Sequence, residues 1–230
     1  VADQSDVNIQ SAKGLRLAGD ISLGISEPPE GAVPDPTFKP ISLSSGALEI
    51  GEDVTFTGAV PDLILDGDVT VTVRDLDPRV VLDVISNGHV TIVSPKNPAR
   101  DPLAGGGALN IGQVVAKGTD GSFFDVSIES YYGINQVAGG QSLIQGQSIE
   151  LDAGQGSIDV RVDSAADDVS GGLTAKAGGN INVTEVTGDL RLNPVDSAGA
   201  SVDAVGNVTL TALNGAILDA VYEGVGEEDL

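Results

Sequence analysis

One phrase, repeated, limits what this chain can become: a glycine, a polar residue, then apolar residues at alternate positions. It reads Gly67-Asp68-Val69-Thr70-Val71, Gly88-His89-Val90-Thr91-Ile92, Gly179-Asn180-Ile181-Asn182-Val183, Gly188-Asp189-Leu190-Arg191-Leu192 and Gly206-Asn207-Val208-Thr209-Leu210. Looser copies begin at Gly19, Gly51, Gly146, Gly156 and Gly215. Alternation at period two puts one row of side chains in a core and the next in water. Glycine and a small polar residue before each run are turn formers. A strand unit too short to bury its own face, recurring along a chain, is the mark of a solenoid.

The spacing of the copies predicts what kind of solenoid. Gly179 and Gly188 are 9 residues apart, Gly206 and Gly215 are again 9 apart, and the pairs lie 27 apart. The earlier pair, Gly146 and Gly156, starts 33 residues before Gly179. Two short strands followed by a longer return suit one coil of a parallel β-helix with three strand faces. A β-sandwich or barrel, the alternative, spaces its strands by about 8–12 residues with hairpin turns and no longer recurrence. No window of ten residues carries helical spacing, because glycines interrupt each candidate. The chain is therefore read as all-β, residues 1–230 forming a single solenoid domain.

Two segments break the pattern. Glu27 to Pro40 holds Pro28, Pro29, Pro34, Pro36 and Pro40; Ser94 to Gly107 holds Pro95, Pro98, Pro102 and three consecutive glycines from Gly105. Proline removes a ladder donor, so 27–40 and 94–107 are read as loop excursions from the coil.

Composition narrows the core and the partners. Hydrophobic residues make up 40% of the chain but aromatics only 3%, with no Trp, so the interior must be narrow and aliphatic. Thirty-four acids against 11 bases give a net charge of −23, which excludes nucleic acid and anionic membranes as partners. Such charge keeps a strand-rich surface from sticking to itself, collects Ca²⁺, or marks a saline source. With no Cys, disulfides and thiolate metal sites are excluded. No apolar run approaches the roughly 20 residues of a membrane helix. Starting at Val1 with no charged-then-apolar leader, the sequence is expected to be a processed product or a piece of a longer repeat protein.

The stretch from Gly188-Asp-Leu-Arg-Leu through Val205-Gly-Asn-Val-Thr-Leu-Thr-Ala-Leu-Asn-Gly-Ala-Ile-Leu-Asp-Ala220 resembles the repeats of filamentous-haemagglutinin-like large bacterial exoproteins. The resemblance extends over residues 140–220 and more loosely over 41–92. It implies a right-handed parallel β-helix, secretion to the cell surface, and cell adhesion or a stalk role. It brings no catalytic residues.

Candidate sites are few. His89 occupies the turn position held elsewhere by Asp68, Asn180, Asp189 and Asn207, so it reads as a turn residue; one His and no Cys cannot build a triad or a transition-metal site. Asp66 with Asp68, Asp75 with Asp77, and Asp163 with Asp167 and Asp168 place carboxylates close together in turns, which suits Ca²⁺. None matches an EF-hand loop or a β-roll nonapeptide, and solvated turn acids are the plain alternative. Phe123, Phe124, Tyr131 and Tyr132 are four of the seven aromatics and lie within ten residues. They suit a glycan-stacking platform, or else a wider coil filled by two of the rings. Asp159 and Asp163 around Arg161, with Glu150 and Asp152 one strand earlier, supply the carboxylates that a polysaccharide-cleaving β-helix would need. Nothing singles out a pair, and the chain is read as a non-enzyme.

These observations together point to an extracellular structural or adhesive module, a rigid stalk or adhesin segment of a bacterial surface protein. Its expected partners are neighbouring repeats or identical subunits end to end, and host or matrix glycans; no membrane insertion is expected. The alternative is a self-assembling subunit of a surface layer or extracellular filament.

Overall fold

The computed structural model describes residues 7–10, 15–17, 21–22, 41–44, 47–50, 56–57, 62–73, 81–96, 107–137, 142–164, 171–193 and 202–219, with side chains within 65–218. The excursion 27–40 and residues 97–106 of the second excursion lie outside them. Among the described residues there is no helix, and none therefore long and apolar enough to cross a membrane. The fold is a parallel β-solenoid, built from two ten-stranded sheets and one two-stranded sheet.

The chain alternates between the two large sheets. The first stacks Val7–Gln10, Ile41–Ser44, Asp62–Leu65, Val81–Ser86, Leu109–Ala116, Ile134–Gln136, Ile158–Asp163, Ile181–Glu185 and Val208–Ala212 in that order. The second stacks Leu15–Leu17, Ala47–Ile50, Val69–Val73, Val90–Ser94, Val126–Ser130, Ser148–Asp152, Gly172–Ala177, Leu190–Leu192 and Ile217–Asp219. Each strand thus pairs with strands one coil before and one coil after it. A third strand face, expected in every coil, is confined among the described residues to Ile21–Ser22 paired with Phe56–Thr57.

Register corrects the repeat length. Val69 stacks on Val90, 21 residues on, and Ile158 on Ile181, 23 on. Ile181 stacks on Val208 and Leu190 on Ile217, both 27 on, so the spacing of 27 is a true coil step. The spacing of 33 is not. Gly146 precedes a strand of the second sheet and Gly179 one of the first, and the Gly179 N–H donates to the carbonyl of Gly156 at 2.7 Å. The glycine phrase marks two different corners of each coil, and counting between unlike corners misjudges the period.

Two short strands of one coil can share a single strand of the coil before it. Ile134–Gln136 and Leu143–Gln145 both pair with the one long strand Leu109–Ala116. Leu190–Leu192 and Val202–Ala204 share Gly172–Ala177 in the same way.

The core follows from the alternation. In the second sheet Val71, Ile92, Ile128, Leu151 and Ala175 form one inward column, stacked coil on coil. In the first sheet Leu109, Ile134, Ile158 and Ile181 form another. All of these are buried, and none of the described aromatics, Phe123, Phe124, Tyr131 and Tyr132, is fully buried with them. Burying one such aliphatic side chain contributes about 1.5–3 kcal/mol, so the narrow interior depends on keeping these columns in phase.

The corners keep the phase. In four of the five strict phrases, and at Ser157 of a looser copy, the polar residue accepts, through its side chain, the backbone N–H of its counterpart in the next coil. Asp68 Oδ1 accepts from His89 N at 2.9 Å, and His89 Nδ1 from Asp125 N at 3.1 Å. Ser157 Oγ accepts from Asn180 N at 3.0 Å, Asn180 Oδ1 from Asn207 N at 2.9 Å, and Asp189 Oδ1 from Ala216 N at 2.8 Å. A return bond runs the other way from the next residue: Val69 N to His89 O, Val90 N to Asp125 O, Ile158 N to Asn180 O, Ile181 N to Asn207 O and Leu190 N to Ala216 O, at 2.8–3.0 Å. The glycine has two separate reasons to be there. At Gly67 and Gly188 the backbone is left-handed, with φ of 76° and 75°. At Gly156 a Cβ would collide with the Tyr132 carbonyl and come within 2.5 Å of Gly133 Cα, because the corners of adjacent coils touch there.

Two substitutions separate these effects in urea unfolding. Asn180→Ala removes one side-chain acceptor and is expected to cost about 1 kcal/mol. Gly156→Ala forces backbone against backbone and is expected to cost more than about 2 kcal/mol. Equal and negligible effects would show that the corners do not hold the stack.

Candidate functional site

The described acidic candidates, Asp66, Asp68 and Asp163, each accept a hydrogen bond from a neighbouring coil. Asp66 is exposed, and its Oδ1 accepts from Asn87 Nδ2 at 2.7 Å; Asn87 Oδ1 in turn accepts from Gly67 N at 2.5 Å. Asp68 holds the His89 amide, as above. Asp163 Oδ2 accepts from Gln145 Nε2 at 2.8 Å, one coil away. Asp75, Asp77, Asp167 and Asp168 lie outside the described residues. Among those described, no three His, Asp or Glu side chains are grouped so as to hold a metal ion.

The outer face of the first sheet carries a polar column. Asn110, Asn135, Asp159, Asn182 and Thr209 share one register position in successive coils. Asp159 Oδ1 accepts from Asn182 Nδ2 at 2.8 Å and from Gln136 Nε2 at 3.2 Å. Asp159 and Asp163 therefore each answer amide side chains rather than face each other. On the second sheet Glu150 is exposed, and Asp152 stacks beside Glu129 and accepts from Gly154 N at 2.8 Å.

The four aromatics do not form one platform. The strand Val126–Ser130 runs between the two pairs, and at about 3.3 Å per residue it sets them at opposite corners of the coil. At one corner Phe124 meets His89 edge-on with 5.3 Å between centroids, while Lys117 Nζ lies 4.7 Å over the Phe123 ring. At the other, Tyr131 and Tyr132 meet edge-on at 4.9 Å, and Lys96 Nζ lies 5.1 Å over Tyr131. All four rings are half-buried, so each pair is a cation-capped ridge rather than an open plate.

Two features escaped the sequence reading. The first is a tight hairpin between Lys117 and Phe123, the one antiparallel bridge among the described residues. Asp120 Oδ1 closes it, accepting from Ser122 Oγ at 2.6 Å and Ser122 N at 3.0 Å. These bonds favour the ionised carboxylate and hold Asp120 below the usual carboxylate range. The Asp-Gly-Ser composition was the available signal, masked by its place between two strand phrases.

The second is Glu185, fully buried at an inward position of the strand Ile181–Glu185. Its Oε2 accepts from Ser164 Oγ at 2.7 Å and Ser164 N at 3.2 Å; its Oε1 accepts from Thr187 N at 3.3 Å. Desolvation raises its pKa above the usual carboxylate value, and Asp163 nearby adds to the rise; the three bonds from Ser164 and Thr187 oppose it. The signal was legible in principle, since alternation from Ile181 puts an acid at an inward phase.

The chain matches no family model, and no curated protein and no solved structure matches it.

Glu185 gives the stability of the fold a pH dependence with a definite sign. A folded pKa above the unfolded one means that the native state binds more protons, so stability falls as pH rises from the ordinary Glu range through the raised pKa. Urea midpoints across that window are expected to fall for the native chain relative to Glu185→Gln, which cannot titrate there. Parallel midpoints for the two proteins would contradict the assignment.

Proposed function

We propose that this chain is a structural or adhesive module of a bacterial surface protein, a stiff segment of the filamentous-haemagglutinin-like kind wound as a right-handed β-helix and presented outside the cell. The observation that carries the reading is the ladder of corner bonds running from coil to coil alongside two continuous parallel sheets. Strand pairing joins each coil to its neighbours, and Asn193 Nδ2 also donates to Ser148 Oγ two coils away at 3.0 Å, so load applied along the stack passes through backbone and side-chain hydrogen bonds. The chain spends 18 to 36 residues on each coil step, which advances the rod by about 4.8 Å. That is a slow way to cover distance and a firm way to hold it.

The polar outer column and the two aromatic ridges suit host or matrix glycans, through amide hydrogen bonds and ring stacking respectively. The net charge of −23 suits an exposed surface that must not aggregate.

The test is to mount the 230-residue chain between a surface and a reporter domain, and in parallel to incubate it with a panel of polysaccharides. The expected result is an unchanged spacing under steady load and no new reducing ends. Cleavage that disappears in Glu150→Gln or Asp159→Asn would replace the structural reading with an enzymatic one.

A further inference from the structure

Among the described corner bonds, one acceptor differs in kind from the rest. At Asp68, Ser157, Asn180 and Asp189 an oxygen accepts the amide of the next coil, whereas at His89 the acceptor is the ring nitrogen Nδ1, 3.1 Å from Asp125 N. Carboxylate, hydroxyl and amide oxygens remain acceptors across the neutral pH range. A ring nitrogen stops accepting once it is protonated, and imidazole is the side chain that takes up a proton between about pH 8 and 5.

The same nitrogen lies 3.3 Å from Asp125 Oδ2. One atom thus faces a donor and an acceptor of a single residue, and its proton selects between them. A neutral ring that accepts the Asp125 N–H at Nδ1 carries its own proton on Nε2. A protonated ring donates at Nδ1 instead, and the Asp125 carboxylate is the acceptor within reach. The His89 and Asp125 side chains are 49% and 53% exposed, so the proton comes from water and returns to it.

We propose that His89 is a proton-operated latch on the corner it shares with Asp125. With the ring neutral, Nδ1 holds the Asp125 amide and this corner is closed like the others. With the ring protonated, the ion pair replaces that bond, the amide loses its acceptor, and this corner alone loosens. The inference concerns the stack itself and goes beyond the stalk reading. The coil step that the latch closes spans 36 residues and carries the hairpin between Lys117 and Phe123. Phe124, which follows the hairpin, meets the His89 ring edge-on, so latch and hairpin share a contact.

The described charged groups on the elements around the ring are Asp66 and Asp68 in the preceding coil, Asp125 in the following one, and Lys117 and Asp120 on the hairpin. Asp66 Oδ1 accepts from Asn87, Asp68 Oδ1 from the His89 amide, and Asp120 Oδ1 from Ser122, while Lys117 Nζ lies over the Phe123 ring. Asp125 is the carboxylate placed at Nδ1. Backbone bonds from Val90 N to Asp125 O, Phe124 N to Ala116 O and Gln147 N to Phe124 O do not involve the ring, so the coils stay stacked while the latch opens. Glu185 answers acid in the opposite sense, because gaining its proton stabilises the fold.

NMR of the 230-residue chain across pH tests the latch, since a single His gives one unambiguous ring signal. The nitrogen shifts of the neutral ring are expected to place its proton on Nε2. As the ring becomes protonated, protection of the Asp125 amide, corrected for the intrinsic pH dependence of exchange, is expected to fall about fivefold to tenfold, the worth of one hydrogen bond. The Asn180 amide, held by Ser157 Oγ, should keep its protection over the same titration. His89→Asn supplies the kind of acceptor that Asn180 provides at its own corner, and should keep the Asp125 amide protected at every pH. A neutral ring with its proton on Nδ1, or Asp125 protection that ignores the charge of the ring, would overturn the proposal. So would a His89→Asn chain that loses protection over the same range as the native one. An equal loss at Asn180 would overturn it as well, because the whole stack and not this corner would then be answering pH.

Discussion

Everything in this molecule depends on a backbone amide at a corner finding a side-chain acceptor one coil away. A strand ladder fixes the height of each coil, but by itself allows a coil to slip along its neighbour by two residues and keep its inward face inward. The corner bond forbids the slip. Asp68, His89, Ser157, Asn180 and Asp189 each hold the amide of one particular residue above. The aliphatic columns can be narrow and lack large rings because register is set outside the core, at the corners.

This division explains how much the sequence discloses. Alternation in Val69-Thr70-Val71 or Ile181-Asn182-Val183 states which residues face inward, and the structure buries those valines and isoleucines. Low aromatic content rightly implies an aliphatic interior. Register was less legible, since glycine serves left-handed corners at Gly67 and Gly188 and touching corners at Gly156, and the two look alike as letters. The surroundings of the candidate residues were least legible, because proximity along the chain says little about contacts between coils. Asp66 and Asp68 are neighbours in sequence, yet each is engaged by the next coil, through Asn87 and the His89 amide. Phe124 and Tyr131 are close in number, yet a full strand lies between them. Side-chain contacts here are assembled across coils, at separations such as 18 residues for Gln145 with Asp163 and 36 for His89 with Asp125.

The same geometry bears on function. Outward positions are free to vary coil by coil without disturbing the columns, so a surface such as Asn110, Asn135, Asp159, Asn182 and Thr209 can be tuned one rung at a time. Breaks in the strands between Gln136 and Leu143 and between Leu192 and Val202 do not end the stack, since the strands on either side of each break share one neighbour. A stiff scaffold that tolerates both suits a protein that must hold surfaces at a distance and display contacts along its length.

The central claim, that the corners and not the strands alone set the stack, is tested most directly by amide hydrogen exchange resolved to single residues. The turn amides of His89, Asp125, Asn180 and Ala216 have side-chain acceptors in the neighbouring coil, and should exchange as slowly as strand amides such as Ile128 or Val183. Exchange of those four at the rate of open loops, while the strands stay protected, would contradict the account.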